Sequence, residues 1–121
     1  MISPKGSIQK MTIFYLQQLF GESLRINILE ILIKAFIQES SNIEEPNSQI
    51  IYLNGAQIAE EIDASKSAVH LVIDKLLEQN FIIRKHVETH QQNPPKLVRL
   101  NTDHGAVKEL IFFYKKLRSF L

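Results

Sequence analysis

Along residues 8–20 the inward positions Ile8, Met11, Thr12, Tyr15, Leu16, Leu19 and Phe20 recur at steps of three and four, the spacing of one face of a helix. Gly21 breaks the pattern, and the Ser23 hydroxyl is placed to cap a second helix that runs to about Glu39. Leu24, Ile28, Leu29, Ile31, Leu32, Ala35 and Phe36 lie on one side of that helix. With Ile26, Ile33 and Ile37 added it is apolar most of the way round, which predicts a helix deep in the core. Residues 40–49 are a loop by composition, and Ile50-Ile51-Tyr52-Leu53 reads as a short strand.

Asn54 with Gln57 three positions on resembles a capping box, opening a short helix through Ile62 with Ile58, Ala59 and Ile62 inward. Asp63-Ala64 form a turn, and Ser65 is the N-cap of a helix over residues 66–79 with Val69, Ile73, Leu76 and Leu77 inward. Asn80 takes the left-handed conformation that ends it. Residues 81–86 and 96–100 then read as two strands joined by a polar loop containing Pro94-Pro95, and Asp103 caps a last helix running to the C-terminus. The fold class is mainly α with a small β-hairpin, a winged helix-turn-helix with extra N- and C-terminal helices. Residues 1–121 are expected to form a single domain: helix-turn-helix 54–80, wing 81–101, and terminal helices 8–20 and 103–121 that dimerise.

Three stretches resemble the winged-helix regulators of ArsR- and MarR-like type, including small archaeal ones. Leu19-Phe20-Gly21-Glu22-Ser23-Leu24-Arg25-Ile26-Asn27-Ile28-Leu29 is similar to the opening of that group's first core helix. Ala56-Gln57-Ile58-Ala59-Glu60-Glu61-Ile62-Asp63-Ala64-Ser65-Lys66-Ser67-Ala68-Val69 is similar to its helix-turn-helix. Lys75-Leu76-Leu77-Glu78-Gln79-Asn80-Phe81-Ile82-Ile83-Arg84 is similar to the passage into its wing, with Asn80 where the group usually has Gly. The likeness covers about residues 19–101 and implies a fold more sharply than it implies any one regulator.

What the resemblance implies is double-stranded DNA as partner, because a helix fits the major groove and its first residues reach bases and phosphates. Ser65, Lys66, Ser67, Ala68, His70, Leu71 and Lys75 would then enter the groove, and Arg84, Lys85, His90, Lys96 and Arg99 would hold the backbone from the wing. Charge modifies this picture. The formal net charge is only +1, so a polyanion requires the cations to be gathered on one side. Residues 65–99 do gather Lys66, Lys75, Arg84, Lys85, Lys96 and Arg99 against three acids, Asp74, Glu78 and Glu88, whereas residues 57–63 hold Glu60, Glu61 and Asp63 with no base. Against this, Leu71 and Val72 stand where the group commonly has polar residues, and such apolar side chains can touch a thymine methyl or equally pack on a protein, while Asp74 is unhelpful beside phosphate. A winged-helix protein-interaction module is therefore the alternative reading.

The last helix shows one stripe of Val107, Leu110, Ile111, Tyr114, Leu117 and Leu121, taken as the dimer interface, with Phe112, Phe113 and Phe120 on another side. Chemistry of other kinds finds little support. The absence of cysteine removes disulfides and thiolate sites. His86 and His90 lie at a strand end and in a loop, where positions four apart share no face, and His104 is the sole candidate third ligand, so no metal is expected. Glu44-Glu45 and Glu60-Glu61 have no partner base, so they are read as solvated charge, and neither an enzymatic activity nor a cofactor is expected. Lys115, Lys116 and Arg118 complement a helix C-terminus. No apolar run approaches the roughly 18 residues of a membrane span, and the N-terminal residues lack a signal-peptide pattern, so a cytoplasmic location with no membrane partner is expected.

Overall fold

The computed structural model describes residues 14–40, 52–85 and 96–121. In chain order these form α1 (Tyr15–Phe20), α2 (Leu24–Ser40), β1 (Leu53–Asn54), α3 (Gly55–Ile62), α4 (Lys66–Glu78), β2 (Ile82–Arg84), β3 (Leu97–Leu100) and α5 (Gly105–Phe120). The strands make one antiparallel sheet in the order β1-β3-β2, with Leu53 opposite Val98 and Ile82 opposite Leu100. The expected hairpin thus gains a third strand from the segment just before the helix-turn-helix. This is the winged-helix arrangement.

Local signals set the ends of the helix-turn-helix. Asn54 Oδ1 accepts from the Gln57 amide and Gln57 Oε1 from the Asn54 amide, each at 2.8 Å, so two otherwise orphaned donors are satisfied at the start of α3. The Ser65 hydroxyl accepts from the Ala68 amide at 3.2 Å and opens α4. Both helices stop at a left-handed residue that is not glycine: Asp63 (φ 54°) and Asn80 (φ 63°). The amide one residue past each reaches back to a carbonyl of the last turn, Ala64 to Ala59 and Phe81 to Leu76.

The core lies between α2 and the remaining elements. Ile28, Leu32 and Ile33 of α2 pack with Ile58 of α3, Val69, Ile73 and Leu76 of α4, and Val98 and Leu100 of β3, all almost wholly buried. Burial of each such side chain stabilises the fold by about 1.5–3 kcal/mol, which outweighs any single cap at about 1 kcal/mol. Caps set where helices begin, and the core decides that they dock.

Several expectations require correction. Asp103 does not cap α5. The Asp103 amide donates instead to the Asn101 side chain, and the cap is His104, whose Nδ1 accepts from the Ala106 amide at 3.1 Å. Of the predicted dimer stripe, Val107, Ile111 and Tyr114 are buried in the chain's own core, and Leu110 and Leu117 pack against it. The outward apolar residues of α5 are Phe112, Phe113 and Phe120, with Leu121 just beyond its end. Val72 is half-buried and packs against the core, so it offers little to a partner. The predicted helix over residues 8–20 is described only from Phe14 onward, and residues 8–13, like residues 50 and 51 of the first strand, lie outside the described residues.

A buried carboxylate organises the N-terminal part. Glu30 of α2 is wholly buried, and its two oxygens accept from the Tyr15 and Leu16 amides, the first donors of α1. It therefore caps α1 from another helix, and the negative charge suits the positive end of that helix. The Tyr114 phenol of α5 is pushed well above its ordinary value of 10.0, by burial first and then by the neighbouring Glu30 charge. Burial also lowers the Lys34 ammonium, against the opposing pull of Glu30 and Glu61. The Tyr114 hydroxyl and Asn27 Oδ1 have no hydrogen-bond partner among the described residues.

Candidate nucleic-acid interface

Helix α4 turns Val69, Ile73 and Leu76 to the core and leaves Ser65, Lys66, Ser67, His70, Leu71 and Lys75 exposed, with Ala68 half-buried at the first turn. Ser65 uses its hydroxyl on the Ala68 amide. The helix therefore opens toward solvent with Lys66 and Ser67 beside its positive end, an arrangement suited to phosphate. Leu71, 66% exposed, is the apolar point of this face.

His70 does not extend straight out from the helix. A Cβ at Gly55 would come within 2.3 Å of its Nε2, so the imidazole rests against the start of α3 and only glycine leaves room for it there. Sequence periodicity puts His70 on the exposed side, and it remains exposed, but its ring is drawn toward α3.

The sheet supplies the second part of the surface. The register places Ile83 opposite Arg99 on the face away from the core, with Ile82, Val98 and Leu100 turned inward. Lys85 continues that edge, its amide donating to Leu97 at 2.8 Å. Its ammonium lies 5.4 Å from the Tyr52 ring centre, and the Arg99 guanidinium lies 5.8 Å from the same ring. Tyr52 thus gathers two cations over one aromatic ring. Arg84 and Lys85 are exposed, whereas Arg99 is half-buried. The sequence predicts a strand at Tyr52 and no role for it at the surface. Continuing the register from Leu53 opposite Val98 sets Tyr52 across from Arg99, a relation that only the strand pairing supplies.

Lys96 departs from expectation. Its ammonium is 2.7 Å from Asp74 on α4, so it screens that carboxylate and ties the base of the wing to the helix. It is not an unengaged phosphate contact. Both side chains are partly exposed, so the pair adds at most about 1 kcal/mol of stability. Its larger consequence is electrostatic, because an acid on the outward face of α4 is neutralised by a neighbour. His90, expected in the wing, lies outside the described residues, as does His86. His104 commits Nδ1 to its helix cap, and no cluster of potential metal ligands occurs among the described residues.

Asn101 fastens the two parts together. Its side chain donates to the Asn80 carbonyl at 2.9 Å and its amide to the Phe81 carbonyl, so the end of α4 and the end of β3 hold a fixed relation. Glu60, Glu61 and Asp63, by contrast, belong to α3 and the turn after it. No helix among the described residues is long and apolar enough to cross a membrane.

No family model matches the chain and no curated protein matches its sequence. Among solved structures it is similar to Lactococcus lactis ZitR, determined as a substituted mutant in the apo form, with 21% identity and a TM-score of 0.52. The match covers 99% of this chain and 79% of that one. At that identity the likeness is one of fold, and it agrees with the winged helix described above.

Proposed function

We propose that this chain is a transcription regulator of ArsR- or MarR-like kind that binds double-stranded DNA as a homodimer. The observation that carries the reading is the uncovered face of α4, with Lys66, Ser67, Leu71 and Lys75 exposed, next to a sheet whose outer face carries Lys85 and the half-buried Arg99, with Arg84 exposed on the edge strand β2. In this reading Ser65, Lys66, Ser67 and Ala68 meet phosphate and base edges at the helix start, and Leu71 touches a thymine methyl. Lys75 follows along the same groove, and His70 reaches it from its place against Gly55. The wing holds the adjacent backbone through Arg84, Lys85 and Arg99, and His90, which lies outside the described residues, is assigned to the same contact. The Tyr52 ring keeps Lys85 and Arg99 together, and Lys96 removes the repulsion that Asp74 would otherwise exert on phosphate. The assignment is to a non-enzymatic protein working in the cytoplasm.

Anisotropy titration of labelled duplex DNA at about 50 and 200 mM salt tests the reading. Released counterions make affinity fall steeply with salt, and Lys66→Ala is expected to weaken binding and flatten the logarithmic slope by about one. Affinity that is absent at low salt, or indifferent to both salt and Lys66→Ala, overturns it. One observation favours a second reading, a protein-docking module: Leu71 is exposed on α4, and Phe112, Phe113 and Phe120 are exposed on α5.

A further inference from the structure

The C-terminal helix carries a hollow at one end and a projection at the other. The hollow, of about 220 Å³, is lined by Leu29 of α2, Phe81 before β2, and Ala106, Val107 and Leu110 of α5. The projection is Phe120, 84% exposed. We infer that the hollow receives Phe120 of a second copy, so that two α5 helices cross antiparallel about a two-fold axis at Phe113. This deepens the homodimer reading above and rests on it.

Spacing supports the fit first. Ala106, Leu110, Phe113, Leu117 and Phe120 recur at steps of four, three, four and three, the rhythm of a seam between paired helices, with Ala106, Phe113 and Phe120 exposed and Leu110 and Leu117 half-buried where the seam borders the chain's own core. It runs beside the stripe that α5 turns inward. Ala106 and Phe120 each stand seven residues from Phe113, so an antiparallel two-fold there lays each Phe120 on the partner's Ala106, and the same contact forms twice. The reach is about 10 Å along the axis from the centre to each end at 1.5 Å per residue. Size agrees as well: a cavity of about 150 Å³ already admits benzene, and the smallest residue of the seam faces its most exposed ring.

Charge distinguishes the direction. On the seam's open flank Glu109 lies four residues before Phe113 and Lys116 three after it, both exposed. Antiparallel crossing brings Glu109 toward the partner's Lys116, whereas a parallel crossing sets like charges together. Phe20 of α1, 6.4 Å from the Phe113 ring and itself exposed, widens the apolar surface at the axis. Because Phe81 is one wall of the hollow, the incoming ring bears on the residue that joins α4 to the wing, and dimerisation steadies the surface proposed for DNA.

The chain contains no cysteine, so introduced thiols report cleanly. The double variant Glu109→Cys/Lys116→Cys and the single variant Lys116→Cys, both of which keep Phe120, are oxidised by air with a copper catalyst, and sedimentation equilibrium is run on the unmodified chain and on Phe120→Ala. Expected results are a dimer for the unmodified chain, an interchain disulfide in the double variant with little in the single one, and at least tenfold weaker dimerisation for Phe120→Ala. Circular dichroism on Phe120→Ala confirms that an exposed ring has been removed without loss of fold. Equal cross-linking of the two thiol variants, or a dimer untouched by Phe120→Ala, overturns this pairing while leaving the homodimer in place. A monomeric unmodified chain overturns the homodimer reading itself.

Discussion

The helix-turn-helix and the junction of α1 with α2 and α5 are built on opposite plans. In the first, each boundary is set by residues three to five positions apart: Asn54 with Gln57, Ser65 with Ala68, and the left-handed Asp63 and Asn80. In the second, the start of α1 is fixed by a carboxylate fourteen and fifteen positions away, and that carboxylate also charges the surroundings of Tyr114. Local caps are individually replaceable. A buried charge that satisfies two amides at once is not, because removing it leaves the buried Leu16 amide and the part-buried Tyr15 amide without their acceptor.

Substitution should separate the two plans. Glu30→Ala is expected to cost about 3 kcal/mol, read from the urea midpoint, by stranding the Tyr15 and Leu16 amides and opening a void. A loss below about 1 kcal/mol would show that α1 stands without its distant cap. Ser65→Ala should cost about 1 kcal/mol with helicity retained, the usual worth of an N-cap. A loss as large as that of Glu30→Ala would erase the contrast.

Alkaline titration sharpens the same comparison. The folded Tyr114 phenol is raised above 10.0, so its contribution is fully present below that value and fades as pH rises past it, because the unfolded chain ionises first. Lys34, lowered from 10.5, acts in the opposite sense, so the difference between the unmodified chain and Tyr114→Phe isolates the phenol. Tyr114→Phe should lie within about 1 kcal/mol of the unmodified chain at neutral pH, since the hydroxyl it removes faces Glu30 without closing a hydrogen bond of full geometry. Above pH 10 it should be the more stable of the two, and parallel stability curves on either side of pH 10 would refute the burial of the phenol.

The smallest effect concerns the seam between α3 and α4. Gly55→Ala should displace the His70 ring and cost under about 1 kcal/mol, because the clashing atom is the far end of a movable side chain. Histidine resonances in a two-dimensional NMR spectrum report the shift, and an unmoved His70 would contradict the packing described.

These contrasts also explain what the sequence reveals. The helix-turn-helix is legible because its signals are local and chemically distinctive: an amide pair, a hydroxyl, two residues tolerant of positive φ. Glu30 is invisible to the same reading, since an isolated acid in an apolar helix looks like one exposed position. The Asp74–Lys96 pair spans twenty-two positions, and the stacking of Lys85 and Arg99 on Tyr52 requires the strand order. Helix α5 fails for another reason. It carries two apolar stripes of the same period, so spacing could not tell which of them faces inward, and the burial of Val107, Ile111 and Tyr114 is a property of the assembled core.

The central claim is that the outward face of α4 and the adjoining sheet edge bind duplex DNA, and an NMR titration with a short duplex tests it most directly. Backbone shifts are expected at Lys66, Ser67, Leu71, Arg84 and Lys85, with Glu60 and Glu61 of α3 unmoved. Shifts confined to α5, or absent from α4 at saturating DNA, would contradict the account.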